Sequence, residues 1–270
     1  MINPSLHRQP VPLDPQKHRA LKVTFPATDM SMASRLNAIF VAANEFTEAC
    51  KEYPVVFVRA GGGGDKAREP VAPIAVLGVV PEQNLYLTGA AGPGQPRGWR
   101  AHYKPALLQA YPFCLARLDE ERFAVCVDGA QPGTDGFSNA DGANSADSTD
   151  AADGQALFDA NGEPTEFLKT MRQHLEAFEG AVQATRAFGQ RLLELDLLRD
   201  MRFDATMTDG RKHTVDGFLA VDQKKTLALP DSVVGELHRN GMLGLIQMHW
   251  ASLSLMRRLV DWHLQPPPAG

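Results

Sequence analysis

The chain has little that would mark a secreted, membrane-embedded or metal-holding protein. It carries three cysteines in 270 residues, Cys50, Cys114 and Cys126. That number is odd and no two are spaced as a C-x-x-C pair, so neither a disulfide framework nor a metal site is expected. Cys114 and Cys126 fall in runs expected as strands, where a free thiol behaves as a small hydrophobe. Residues 1–26 contain prolines and scattered charge but not the apolar core of a secretory signal. The most apolar stretch, Gly241 to Met256, is interrupted by Gln247, His249 and Ser252. It meets Arg257-Arg258 short of the ~20 residues that cross a bilayer. No transmembrane segment is expected, and a cytoplasmic location is the default. A basic excess is missing too. Formal charge is −5, and five aspartates between residues 129 and 153 account for it, leaving 27 acidic against 27 basic residues elsewhere. Nucleic acid would demand clustered positive charge, so no such partner is expected.

What is present begins with two Tyr-Pro steps, Tyr53-Pro54 and Tyr111-Pro112, each leading into an apolar run. Proline fixes its own φ and drives the residue before it into extended conformation, so each reads as the start of a strand. Strands are expected at Pro54–Arg59, Ile74–Val80, Asn84–Thr88, Pro112–Leu118 and Arg122–Asp128, with short helices over Met32–Ile39 and from Pro105. Residues 129–153 offer almost no apolar side chain and cannot offset their ordering entropy, which predicts a disordered insertion. Beyond it, Phe167, Met171, Leu175, Phe178, Val182, Thr185, Gly189 and Leu192 recur every three or four residues, predicting a long helix from Pro164 to Leu198. Its glycines, Gly180 and Gly189, are expected where another element packs closely. A hairpin turning at Asp209-Gly210 follows, then a helix over Asp231–Arg239 and a final helix from Met242 to Leu264. That helix is apolar nearly all round and is expected to be buried.

No motif specifies a reaction. The run Gly61-Gly62-Gly63-Gly64-Asp65-Lys66 lacks the Gly-Lys-Ser/Thr of a phosphate loop and reads as a connector. Asp159-x-Asn161-Gly162-Glu163 is a fragment of a calcium loop without its remaining ligands and reads as a turn. His249 with Ser252 one turn away admits a general base. It equally admits a core histidine bonded to backbone. Arg186, beside the long helix's apolar stripe, admits ion pairing or recognition of an anion through its planar fork. Trp99, Tyr103 and Tyr111 surround a Gly/Pro-rich turn, where aromatics form a recognition pocket or pin a loop to a sheet.

In their order and spacing these residues resemble the SapC family of bacterial proteins. The resemblance runs through Asn44-Glu45-Phe46, Glu52-Tyr53-Pro54, Leu77-Gly78 and Asn84-Leu85. It continues through Trp99, Tyr103, Pro105-Ala106, Tyr111-Pro112-Phe113, Asp128, Leu157-Phe158 and Thr185-Arg186. It closes with Asp216-Gly217-Phe218, Val221-Asp222, Leu229-Pro230-Asp231, Gly241-Met242-Leu243, His249 and Ser252-Leu253, and covers roughly residues 36–262. The Asp-rich insertion departs from the family pattern. The resemblance implies no catalytic residue set. It implies genes placed near those of surface-uptake receptors and flavin-dependent halogenase-like enzymes, and a halogenase-like enzyme is the partner this suggests.

The expected architecture is α+β: antiparallel strands in two associated halves, packed by a long central helix and a buried C-terminal helix. Residues 1–30 are expected as a flexible arm, 31–264 as one domain, and 265–270 as a flexible tail. The leading functional expectation is a non-catalytic binding or accessory protein without cofactor or metal, recognising a protein, peptide or small molecule. Asn84, Trp99, Tyr103, Tyr111 and Arg186 are its candidate ligand contacts. The alternatives are an enzyme using His249, Arg186 and Asp128 in a cleft, and a membrane-interface protein using the C-terminal helix.

Overall fold

A computed structural model describes residues 2–61, 69–89, 95–119, 122–130, 154–206 and 212–264. The tetraglycine run beyond Gly61, the Asp-rich segment beyond Ala130, the Asp209-Gly210 turn and the tail from residue 265 lie outside these. The chain is α+β and divides into two compact units. One comprises residues 1–33, 91–98 and 106–179, the other residues 34–90, 99–105 and 180–270.

The first unit is built on an antiparallel three-stranded sheet in which strand Phe123–Asp128 lies between Phe113–Arg117 and Pro10–Pro12. A Pro-Val-Pro strand is possible only at an edge with the right register. Val11 faces Val127, and the neighbouring backbone bonds join Leu13 to Val125 and Gly129 to Gln9. The ladder thus falls on odd-numbered residues, and neither proline is asked for an N–H. Residues 2–30, expected as a flexible arm, are instead part of this unit: Leu6 and Val23 are fully buried, and Lys22–Val23 pairs with Gln155–Ala156. The physical reason is that this stretch supplies an edge strand and apolar anchors. One sheet face carries Val11, Phe113, Leu115 and Val127, packed with Leu168, Met171 and Leu175 of the long helix Glu166–Glu194. Phe113 meets Phe25 and Phe167 there edge to face, and the three ring centroids lie 5.6–5.8 Å apart. The opposite face carries Cys114 directly across from Cys126, both buried free thiols, and Asp128.

The second unit holds a five-stranded antiparallel sheet with spatial order Leu198–Thr206, Lys212–Val221, Val55–Arg59, Val71–Val76, Ala38–Phe40. Ala38–Phe40 is a strand where a helix over Met32–Ile39 was expected; sheet pairing to Ile74–Val76 overrides local preference. In the hairpin, Met201 faces Phe218 while Phe203 faces Val215, so two residues oppose one, and Gly217 absorbs the bulge at φ +84°. Gly189 on the long helix sits where a Cβ would lie 2.7 Å from the Val71 carbonyl oxygen, the close approach expected of it. Gly180 faces open space, so close packing does not account for it. The expected final helix is two, Met242–Ser252 and Leu255–Leu264. Only one stripe is buried, through Ile246, His249, Ser252, Met256 and Leu259, while Leu245 and Met248 are half-buried. Among the described residues no helix is long and apolar enough to cross a membrane.

Candidate functional site

His249 is fully buried and its ring is spent on backbone. The Val221 N–H donates to Nε2 at 3.1 Å, which leaves the proton on Nδ1 to donate to the Val55 carbonyl at 2.7 Å. Val55 and Val221 stand one ladder step beyond the Leu219–Phe57 pair, so the imidazole substitutes for a hydrogen bond between two strands. Burial lowers its pKa to about 4, partly opposed by the bond to Val55. Ser252 is no nucleophile for it. The Ser252 hydroxyl accepts from Val55 N–H at 2.9 Å and donates to the carbonyl of His249 at 2.6 Å. Arg186 is exposed and reaches Gln183 Oε1 at 3.3 Å. A sealed imidazole and an exposed guanidinium do not share a solvent-filled cleft.

The aromatic residues of the second unit are likewise engaged. Trp99, half-buried, stacks on Tyr86 at 5.7 Å and donates its indole N–H to the Tyr53 hydroxyl at 2.8 Å. Tyr53 donates in turn to the Tyr103 carbonyl, and Tyr103 donates to Glu45 Oε1 at 2.7 Å. Glu45 Oε2 accepts from the Ala42 N–H, so a nearly buried carboxylate is satisfied on both oxygens. Asn84 accepts from the Tyr86 N–H and shapes a turn. Trp262 packs edge-on to Tyr86, with the guanidinium carbons of Arg100 and Arg258 at 4.5 and 5.0 Å from its ring centroid. Trp99 and Tyr103 therefore fasten their loop rather than display it.

The first unit differs. Asp128 is fully buried; Oδ1 accepts from the amides of Gln9 at 2.7 Å and Ala130 at 3.3 Å, and Oδ2 from the Arg8 amide at 3.3 Å and the Tyr111 hydroxyl at 2.8 Å. Burial, then the bond to Asp128, raises the Tyr111 pKa, so the phenol stays neutral. His7 stacks on the Tyr111 ring at 5.9 Å and accepts from the Asn3 amide, and burial lowers its pKa to about 4. Asp128 is thus a structural anchor that bends residues 8–9 and 130 around one carboxylate.

Beside that anchor opens a cavity of about 370 Å³. Its wall includes Arg8, Thr24, Thr28, Asp29 and Tyr111, with Met32 as apolar surface. Asp29 Oδ1 accepts three bonds, from the Ser31 amide, the Ser31 hydroxyl and the Arg97 amide, at 2.6–2.9 Å. Burial opposes its charge, but these donors outweigh it and hold the carboxyl below its usual pKa. Asp29 Oδ2, the Arg8 guanidinium and the hydroxyls of Thr24 and Thr28 make no hydrogen bond or ion pair with the described residues. Among the described residues, two of the three buried side-chain nitrogens lacking a hydrogen-bond partner belong to His7 and Arg97, which touch the two ends of this polar network. Of the sequence candidates only Tyr111 lines the cavity. Arg8, Thr24, Thr28 and Asp29 were missed because they lie in the stretch expected as an arm. The alternating Pro10-Val11-Pro12 and the Asp29-x-Ser31 turn were the signals available. Among the described residues no group of three His, Cys, Asp or Glu is placed to hold a metal ion.

The SapC family model matches residues 13–259, and the chain belongs to the SapC family. No curated protein and no solved structure matches it.

Proposed function

We propose that this SapC-family protein is a non-catalytic binding protein that takes a small polar molecule into the cavity of its first unit. One observation carries the reading: on the cavity wall the Arg8 guanidinium, Asp29 Oδ2 and the Thr24 and Thr28 hydroxyls make no hydrogen bond with the described residues, whereas His249, Ser252 and Asp128 are consumed by internal bonds. A pocket of this size with a few convergent polar groups is the usual form of a small-ligand site. A catalytic base needs an open nitrogen or oxygen within reach of a substrate proton, and His249 offers none. The test is thermal-shift screening of a panel of small polar metabolites against the wild-type protein and Thr28→Trp, whose indole fills the cavity. Stabilisation by panel members in the wild type and its loss in the variant are expected. Equal shifts in both proteins, or none in either, would overturn the proposal.

A further inference from the structure

The cavity wall carries the exposed Arg8 guanidinium, which makes no ion pair with the described residues, and the Asp29 carboxylate, whose Oδ2 accepts no hydrogen bond from them and whose charge the nearby Arg97 also favours; no ion pair joins Arg8 to Asp29. Exposed opposite charges held apart are met by water; a ligand carrying both complementary charges satisfies both at once. We infer that the ligand is a zwitterionic free α-amino acid, an inference that rests on the cavity being the binding site.

The assignment of groups follows from chemistry. Arg8 presents a planar fork suited to a carboxylate. Asp29 is pinned through Oδ1 by three donors, so Oδ2 is held in place before any ligand arrives and accepts from an α-ammonium without reorganisation. An ammonium has three donors, and the Thr24 and Thr28 hydroxyls supply further acceptors on the same wall. Met32 and the Tyr111 ring give the ligand's side chain an apolar surface that adapts to shape, which favours tolerance among medium-sized side chains. Asp128 takes no direct part: both its oxygens are filled, and its work is to set the backbone of Arg8 and the Tyr111 ring. The site therefore reads the ligand's two charges and is lenient about the rest.

Isothermal titration with glycine, methionine, glutamine and phenylalanine tests this, together with the N-acetyl and carboxamide derivatives of the tightest binder. Free amino acids are expected to bind. Removing either charge from the ligand is expected to weaken binding at least about tenfold, as does losing a charge-assisted bond elsewhere. Asp29→Asn should weaken the free amino acid and leave the N-acetyl form unchanged, because the lost charge is already missing there. Arg8→Gln should do the same for the carboxamide. Should Asp29→Asn fold poorly, as judged by its melting curve, Thr24→Val serves in its place. If capped derivatives bind as tightly as the free amino acid, the zwitterion assignment fails. It fails also if amino acids do not bind while other polar molecules stabilise the wild type and not Thr28→Trp, an outcome that leaves the cavity reading standing. Equal behaviour of Thr28→Trp and wild type toward every ligand defeats the cavity reading itself.

Discussion

The two units use polar side chains in opposite ways. In the second, His249, Ser252, Trp99, Tyr53, Tyr103 and Glu45 form closed chains in which each donor has an acceptor. In the first, a closed anchor at Asp128 stands beside a cavity where the Arg8 guanidinium, Asp29 Oδ2 and two threonine hydroxyls make no hydrogen bond with the described residues. A conspicuous residue type is therefore a poor guide to function. Histidine and tryptophan stand in the second unit as structural fasteners, while the first unit's Arg8 guanidinium, Asp29 Oδ2 and threonine hydroxyls, common groups on any surface, make no hydrogen bond with the described residues.

The sharpest way to break this comparison is to remove a fastener. His249→Ala leaves the Val221 N–H without a partner and the Val55 carbonyl with only a long 3.5 Å contact to the Ser252 hydroxyl, and opens a void beside Phe57, whose ring lies 5.2 Å from the imidazole. A buried unsatisfied donor together with a cavity is expected to cost ~3–5 kcal/mol. Denaturant unfolding measures it. A loss below about 1 kcal/mol would mean that the ring is not holding the two strands.

The same residue explains what was legible in the sequence and what was not. The long helix and the helix Asp231–Arg239 were readable, because apolar spacing and Asp or Gly punctuation are local signals. The break at Leu253-Ser254 was not: nothing local stops the helix, and burial of only one stripe through His249 and Ser252 follows from strands nearly two hundred residues earlier in sequence. Glu45 carries no local signal of burial, and its bond from Tyr103, fifty-eight residues away, forms only on folding. The cavity was unreadable for a related reason. Its residues are individually ordinary, and what distinguishes them is that several of their polar atoms make no hydrogen bond with the described residues.

A milder perturbation acts on both units at once. His7 and His249 have folded-state pKa values of about 4, against an unfolded value near 6.5. As pH falls the unfolded chain takes up these protons first, so the stability from keeping both rings neutral is full above pH 6.5 and is lost between 6.5 and 4. By pH 5 each is expected to cost about 2 kcal/mol. Comparing unfolding at pH 7.5 and pH 5.0 in wild type and His7→Gln should show a shallower loss in the variant. An identical pH dependence would place the His7 ring in water.

The smallest effects should come from the cavity wall, and they sharpen the contrast between anchor and pocket within a single unit. Tyr111→Phe deletes a side-chain donor to a fully buried carboxylate, and a hydrogen bond to a charged group is expected to be worth ~1.5–3 kcal/mol. Arg8→Gln changes a residue one position from His7, yet its exposed guanidinium makes no hydrogen bond or ion pair with the described residues, because the Arg8 contact to Asp128 is made by the backbone amide. Its effect on stability should stay within about 0.5 kcal/mol. Chemical denaturation of the two variants side by side separates structure from availability. If Arg8→Gln destabilised the fold as much as Tyr111→Phe, the guanidinium would be another fastener, and the first unit would follow the same rule as the second. A neutral Arg8→Gln leaves a preserved fold with one cation removed from its cavity, the state in which a loss of ligand binding can be assigned to the wall itself.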